Sequence, residues 1–481
     1  MFSILFVGCL KQAPLYTMPQ SVTTHKEKVD AMATPLTQDG WMTALSIALI
    51  HPNGVEYYNY GTLKKGADGQ PNQNSIYEIG SVSKVFTGLL LADQVQKGKV
   101  PLNEPLSSWA LPDWTLPSKD GEAFSALHLT THTSGLPRLP AEFAPPNMQN
   151  PYADFSAADF KSNLEQKVEL VTKPGETFLY SNIGAGLLGY SLTQSTGMTY
   201  EELVLQTIAA PLEMNDTSVI VPLEKQGQVA QGYGMMGEPV PDWDFPAIVG
   251  TGELNSSTED LVRFLLVQFD PPKSALGRAI AMTQERRFPI AKGSEGSDKS
   301  AIGMGWHIGT DATPNLIWHT GGTGGARSFV GFDPQEKLGI VVLSTNPSPF
   351  YDALGISLYQ MLKGEKFDFK MPALSEVSAD TLELYRGSYT LGPGVVLNVE
   401  PNANHLKVTI VGQPSFPIYP ATQTRFNSIH APLGFEFQKN EAGDVFQLIM
   451  FQGKNEIPAP KDMPEKESTE EPTEKAEDAP K

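Results

Sequence analysis

Ser81 and Lys84 stand three residues apart in the run Tyr77-Glu78-Ile79-Gly80-Ser81-Val82-Ser83-Lys84-Val85-Phe86, which continues as an apolar stretch to Leu91. On a helix, residues at that spacing lie one above the other, so a hydroxyl would meet an amine. A serine hydroxyl becomes a useful nucleophile when a neighbouring base takes its proton, and a lysine held among apolar residues has its pKa lowered towards that task. The start of the helix adds backbone N–H groups and a positive dipole end where an oxyanion could form. Two later motifs carry matching chemistry. Tyr180-Ser181-Asn182 offers a phenol that can shuttle a proton if positive charge lowers its pKa, and an amide able to bridge a substrate amide and the lysine. His319-Thr320-Gly321-Gly322, followed by Thr323-Gly324-Gly325, offers donors to a substrate carboxylate on a backbone that a substrate can approach closely. Singly, each also reads as something bland: a solvated surface helix, a turn into a core helix, a tight hairpin turn. Together, in this order, they point to a site.

The elements that must position these residues are readable. Ala44 to Ile50 and Val55 to Tyr60, joined through Pro52-Asn53-Gly54, form a β-hairpin pattern. Val82 to Lys97 reads as a buried helix ended by Gly98. From Leu106 to about Asp270 helical runs alternate with Pro- and Gly-rich loops; those holding Pro145, Pro146 and Pro151, or residues Lys292 to Lys299, are candidates for the rim of a cleft. Strand signals return from Trp306 to Ser344, and a helix follows at Tyr351 to Leu362. The expected fold is therefore α/β of the α+β type. An antiparallel sheet built from both chain ends is flanked by helices and carries an all-helical subdomain. A second unit opens at Leu382 to Tyr389 and has short alternating runs at Val395–Val399, Leu406–Val411, Arg425–Ile429, Phe435–Gln438 and Phe446–Met450. Their even spacing predicts a small β-barrel or sandwich. It holds no catalytic constellation, and His405 and His430 read as structural or exposed. The expected domains are a lipoprotein signal at 1–9, a polar tether at 10–35, the domain carrying the three motifs at 36–370, the β-rich unit at 375–457, and an acidic, disordered tail at 458–481.

With these motifs in hand, the chain resembles the class C β-lactamase, serine DD-peptidase and esterase family, the penicillin-recognising hydrolases. Further segments carry the resemblance: the hairpin from Ala44 to Gly61, Leu129-Thr130-Thr131-His132-Thr133-Ser134-Gly135-Leu136-Pro137, Ala210 to Met214, Asn255 to Leu261 and Phe329 to Leu343. The resemblance runs from about Leu36 to Lys363. It implies that Ser81 is the nucleophile, Lys84 its activating partner and Tyr180 the base or acid at the leaving group. It also implies that Asn182 orients the substrate amide, that His319, Thr320 and Gly321 form the third wall, and that the N–H groups of Ser81 and Gly322 make the oxyanion hole. No cofactor or metal is implied. Class C β-lactamases carry lysine where His319 stands, and often a glutamine where the chain has Leu139. A histidine is only partly cationic near neutrality, so weaker carboxylate binding is expected. The substrates left open are D-Ala-D-Ala peptides, β-lactams and small esters. A penicillin-binding sensor or scaffold is the non-catalytic alternative, and three intact catalytic residue types argue against it.

Composition narrows the field. The 481 residues carry 35 basic and 54 acidic side chains, a net charge of −19, which disfavours nucleic acid and anionic membrane surfaces as partners. No apolar run approaches the eighteen or so residues that span a bilayer. The single cysteine, Cys9, excludes an internal disulfide; it follows Phe2 to Gly8, a stretch resembling the end of a lipoprotein signal, and is a lipidation candidate. The resemblance implies a small-molecule or peptidoglycan-derived substrate, met outside the cytoplasm, with membrane contact only through a lipid anchor. The glycine cluster lacks the G-K-[ST] ending of a phosphate loop. No G-x-S-x-G elbow is present. His128 and His132 lack the glutamate of a zinc-peptidase helix, and the resemblance assigns His132 to a structural turn.

Overall fold

The structure, a computed structural model, describes residues 15–291, 300–310, 312–413 and 415–462. Cys9 and the candidate signal, the rim loop at 292–299 and residues 463–481 lie outside the described residues. Two compact units divide between Lys370 and Met371.

The first unit begins with α1 (Lys26–Gln38), whose Val29, Met32, Ala33 and Leu36 are buried. This corrects the tether expected over 10–35. The spacing of these four apolar residues makes one helical face, and α1 packs against the hairpin of β1 (Ala44–His51) and β2 (Gly54–Gly61). Upstream, Val22 N–H donates to Val55 O at 2.9 Å, so part of the preceding segment is tied down as well.

The strands β3 (Tyr77–Glu78) and β4 (Asn255–Ser256) form a small ladder of their own. The main sheet adds β5 (Phe288–Ala291), β6 (Ser300–Ile302), β7 (His307–Ile308), β8 (Ile317–Gly322), β9 (Ala326–Asp333) and β10 (Leu338–Thr345). Its order is β2-β1-β10-β9-β8-β7-β6-β5, antiparallel throughout, with β1 from the start of the chain against β10 from the end of the unit. Successive residues on a strand face opposite sides. On β9, Phe329 meets the helix Tyr351–Leu362 at Gly355, and Phe332 meets Phe269 at the end of the helix Thr258–Phe269. The sheet is therefore covered on both faces.

The helix α2 (Ser83–Gln96) is buried on every side from Ser83 to Gln94, as its unbroken apolar run requires. Phe86 stacks on Phe264 at 4.5 Å, and burial of such a ring contributes about 2–3 kcal/mol. The subdomain between β3 and β4 includes α3 (Ala126–Thr130), α4 (Ala157–Gln166) and α5 (Asn182–Thr196), with α3 and α5 packed on α2.

Among the described residues the second unit has one short helix (Ala379–Leu384) and eight strands, each paired antiparallel with the next, from Gly387–Gly392 to Asn455–Pro460. Tyr389 bridges Lys461, bringing the ends of the sheet together into a nearly closed barrel. Tyr385, Tyr389, Phe426 and Phe437 fill its interior. The last strand reaches Pro460, which corrects the tail expected from 458 over residues 458–460.

Candidate active site

Ser81 lies in a 3-10 turn, Gly80–Val82, that feeds directly into α2. The turn puts Ser81 Oγ 2.9 Å from Lys84 Nζ, and a Nζ–H donates to Thr251 O at 2.7 Å. Lys84 is 3% exposed. Burial lowers its pKa to about 7, helped by the positive charge of Arg138 and opposed by Glu253. A substantial fraction of the amine is therefore uncharged near neutrality.

Tyr180 precedes α5, whose N-cap is Ser181: its hydroxyl accepts from Gly184 N–H at 2.9 Å and donates to Pro137 O at 2.7 Å. The turn of residues 132–138 backs this segment. Leu179 N–H donates to His132 O, Ser181 N–H to His132 Nδ1 and Asn182 N–H to Arg138 O, at 2.7, 3.2 and 2.9 Å. His132 adopts φ +55° and sets its ring, tilted by 32°, 4.3 Å from that of Tyr180, consistent with the structural role the resemblance gave it. The Tyr180 phenol pairs with the Ser81 side chain. The ring centre lies 5.1 Å from Lys84 Nζ and 4.9 Å from Arg138 Cζ. Burial nevertheless raises the phenol to about 12, outweighing the Ser81 contact and the Arg138 charge. Tyr180 is thus a protonated donor at neutral pH, and the pKa lowering anticipated from nearby positive charge does not prevail. Asn182 Nδ2–H donates to Tyr152 Oη at 3.3 Å, and its buried Oδ1 has no protein partner among the described residues.

On β8, His319 pairs with Val330 and Gly321 with Ser328, on the face of the sheet turned towards Ile79, whose carbonyl accepts from Ser328 Oγ at 2.7 Å. Thr320 pairs with Phe329 on the alternate face and does not share a side with His319. His319 differs from the expected donor to a carboxylate. Its Nδ1–H donates to Thr320 O at 2.6 Å, because a carbonyl can only accept. Nε2 is therefore a bare acceptor; it is buried and has no protein partner among the described residues. Burial, with His307 and Lys84 nearby, holds the ring well below its usual pKa, so it is uncharged.

The backbone of β8 presses on the serine turn. A Cβ on Gly321 would lie 1.9 Å from Ile79 O, and one on Gly80, at φ +51°, would lie 2.5 Å from Gly322 N. Only glycine fits both places, which brings the Gly322 amide beside the residue preceding Ser81. Ser81, Lys84, Tyr180, His319 and the Gly321–Gly322 backbone thus converge on one place. Arg138, Thr251 and Glu253 join them unannounced by the sequence. The sole advance signal for Arg138 was its position directly after the Gly135-Leu136-Pro137 turn.

Among the described residues one cluster has the makings of a metal site: His25, His51 and Glu56. Its hydrogen bonds account for it without an ion. Glu56 accepts from His25 Nδ1 at 2.7 Å, His51 Nε2 at 2.8 Å, His25 N–H at 3.0 Å and the Tyr58 hydroxyl. His51 Nδ1 accepts from Asn53 N–H at 3.4 Å, so His51 carries its proton on the nitrogen a metal would need. The cluster staples the start of α1 to the hairpin.

Residues 29–359 match the family model described as Beta-lactamase. The chain belongs to the beta-lactamase family. Among its relatives is a protein named Beta-lactamase from Pseudomonas fluorescens, 30% identical over 68% of this chain and 95% of that one. Another is the D-alanyl-D-alanine-carboxypeptidase/endopeptidase AmpH of Escherichia coli K12, 26% identical over 71% of this chain and 91% of AmpH. In fold, an octameric penicillin-binding protein homologue from Pyrococcus abyssi superposes with a TM-score of 0.63 at 22% identity, covering 90% of this chain and all of that one. A class C beta-lactamase gives a TM-score of 0.61 at 23% identity over 70% of this chain and 97% of that one. Family membership makes the chain an enzyme of the β-lactamase and DD-peptidase serine hydrolases. Among the described residues no helix is long and apolar enough to cross a membrane.

Proposed function

We propose that this protein hydrolyses D-Ala-D-Ala-type peptides and related amides or esters through a covalent Ser81 acyl-enzyme, with β-lactam turnover weak or moderate. The observation that carries the reading is the 2.9 Å approach of Ser81 Oγ to a buried Lys84 whose pKa is brought to about 7. As the free amine, Lys84 takes the Ser81 proton while Oγ attacks the substrate carbonyl. The N–H groups of Ser81 and Gly322 stabilise the oxyanion that develops. Tyr180, protonated at rest, gives its proton to the departing amine or alkoxide, and the proton held by Lys84, whose Nζ lies 5.1 Å from the Tyr180 ring centre, then restores the phenol. Asn182 Oδ1, buried and without a protein partner among the described residues, receives the substrate amide. Water then attacks the ester by the reverse of these transfers.

Two features favour a peptidase over an efficient cephalosporinase. The uncharged His319 replaces a permanent cation, and the exposed Leu139 stands where class C β-lactamases often have a glutamine. Export, with Cys9 as the acylated residue after Gly8, fits a cell-wall substrate; Cys9→Ser should then release the protein from the membrane fraction. Turnover of a chromogenic cephalosporin beside a muropeptide digest tests the substrate. Release of terminal D-Ala, abolished in Ser81→Ala, is the expected result; cephalosporin turnover near the diffusional ceiling with no muropeptide cleavage would overturn it.

A further inference from the structure

The site needs a cation to attract an anionic substrate, and β8 does not provide one. His319 is uncharged and presents a bare Nε2. Lys84 is buried and shares its protons with Thr251 O and Ser81. Arg327, beside Gly322, is occupied: its Nη1 donates to Thr323 O at 2.6 Å and Ala326 O at 2.7 Å. Arg138 differs from all three. It is exposed, its guanidinium forms no ion pair among the described residues, and its Cζ stands 4.9 Å from the Tyr180 ring centre. Its own carbonyl is fixed by the N–H of Asn182, so the backbone that carries it is tied to the start of α5. A guanidinium is permanently charged and offers paired N–H donors matched to a carboxylate.

We propose that Arg138 is the anion-recognising residue of this site and selects acyl donors that bear a carboxylate on the Tyr180 side. The proposal rests on the hydrolase reading above. Laid against the Tyr180 ring, the guanidinium keeps its outer N–H edge for the substrate, and the stacking limits the rotamers it must give up on binding. Its charge also reaches Lys84 and Tyr180, lowering both pKa values, so loss of Arg138 has a catalytic consequence as well as a binding one. The two are separable because only the binding effect depends on substrate charge.

The test measures kcat and KM for a matched pair of thioester substrates, one with a free carboxylate and one with that group methylated, in wild type, Arg138→Gln, Arg138→Lys and Ser81→Ala. Hydrogen bonds to charged groups predict that Arg138→Gln reduces the preference for the anionic substrate on the order of ten- to a hundredfold, chiefly through KM. Arg138→Lys should recover part of it. Because the side chain is exposed, equal melting temperatures should exclude unfolding as the cause. An unchanged preference in Arg138→Gln, or an equal fall on both substrates, overturns the proposal and leaves Arg138 acting on Tyr180 and Lys84 alone. Absence of Ser81-dependent turnover of either substrate overturns the hydrolase reading instead, and this one with it.

Discussion

The pH dependence of acylation should reveal the state of Lys84 directly. An ordinary lysine, with a pKa near 10.5, is a free base in only about one molecule in three thousand at pH 7. Burial brings Lys84 to about 7, so about half the molecules hold the free base there. The gain in competent enzyme is on the order of a thousandfold. The sign follows from the role: the reaction needs the deprotonated amine, so the rate is lost as pH falls through the lowered pKa and levels off above it. Between pH 5 and pH 7 the acylation rate should rise about fiftyfold, and between pH 8 and pH 10 by less than about twofold. A lysine of normal pKa would instead give about seventyfold over that upper interval. Stopped-flow acylation by a fluorescent penicillin, corrected for the Ser81→Ala background, provides the profile. Lys84→Ala should bring the rate down by several powers of ten, to near that background. A steady rise from pH 8 to pH 10, or a Lys84→Ala variant with most of its activity, would refute the assignment of Lys84 as base.

Three other perturbations probe separate parts of the account. Gly321→Ala places a methyl group against Ile79 O and should destabilise the protein by about 1–3 kcal/mol while abolishing acylation; a stable and active variant, judged by melting temperature and penicillin labelling, would show that β8 does not press on the serine turn. Glu56→Gln leaves the donors of His25, His51 and Tyr58 poorly matched and should lower stability by about 1–3 kcal/mol without changing catalysis. Since the pKa of Glu56 is lowered to about 2, its contribution is present above the ordinary glutamate range and fades as pH falls through the lowered value, which denaturant titrations of both proteins can follow. Because His319 is already uncharged, kcat/KM for a carboxylate substrate should show no loss as pH rises through the usual histidine range near 6.5; a fall there that disappears in His319→Gln would restore an imidazolium role.

The parts of the fold legible in the sequence were those with strong periodicity. The apolar run after Ser83 could only be a buried helix, and the turn at Asn53-Gly54 fixed the first hairpin. Segments with weaker local signals were missed. Helix α1 has only four buried residues in a polar stretch and contains Pro35. The strands Phe288–Ala291 and Phe416–Pro420 contain proline, and sheet pairing overrides that local preference. Within the site, the residue types and spacings singled out Ser81, Lys84 and Tyr180, which the fold brings together, because each lies in a short motif. Glu253 is invisible in that reading and Arg138 is marked only by its place after the Gly135-Leu136-Pro137 turn, since the fold brings both to Lys84 from far along the sequence. The charge of His319 was misread for a related reason: it depends on burial and on the Thr320 carbonyl, neither of which spacing reveals.

The central claim is a covalent ester on Ser81. Protein incubated briefly with benzylpenicillin and quenched in acid should gain the full mass of the intact β-lactam, because ring opening expels no fragment. Peptide mapping should place the adduct on the segment containing Ser81, and Ser81→Ala should show none. An adduct on another residue, or one that persists in Ser81→Ala, would contradict the account.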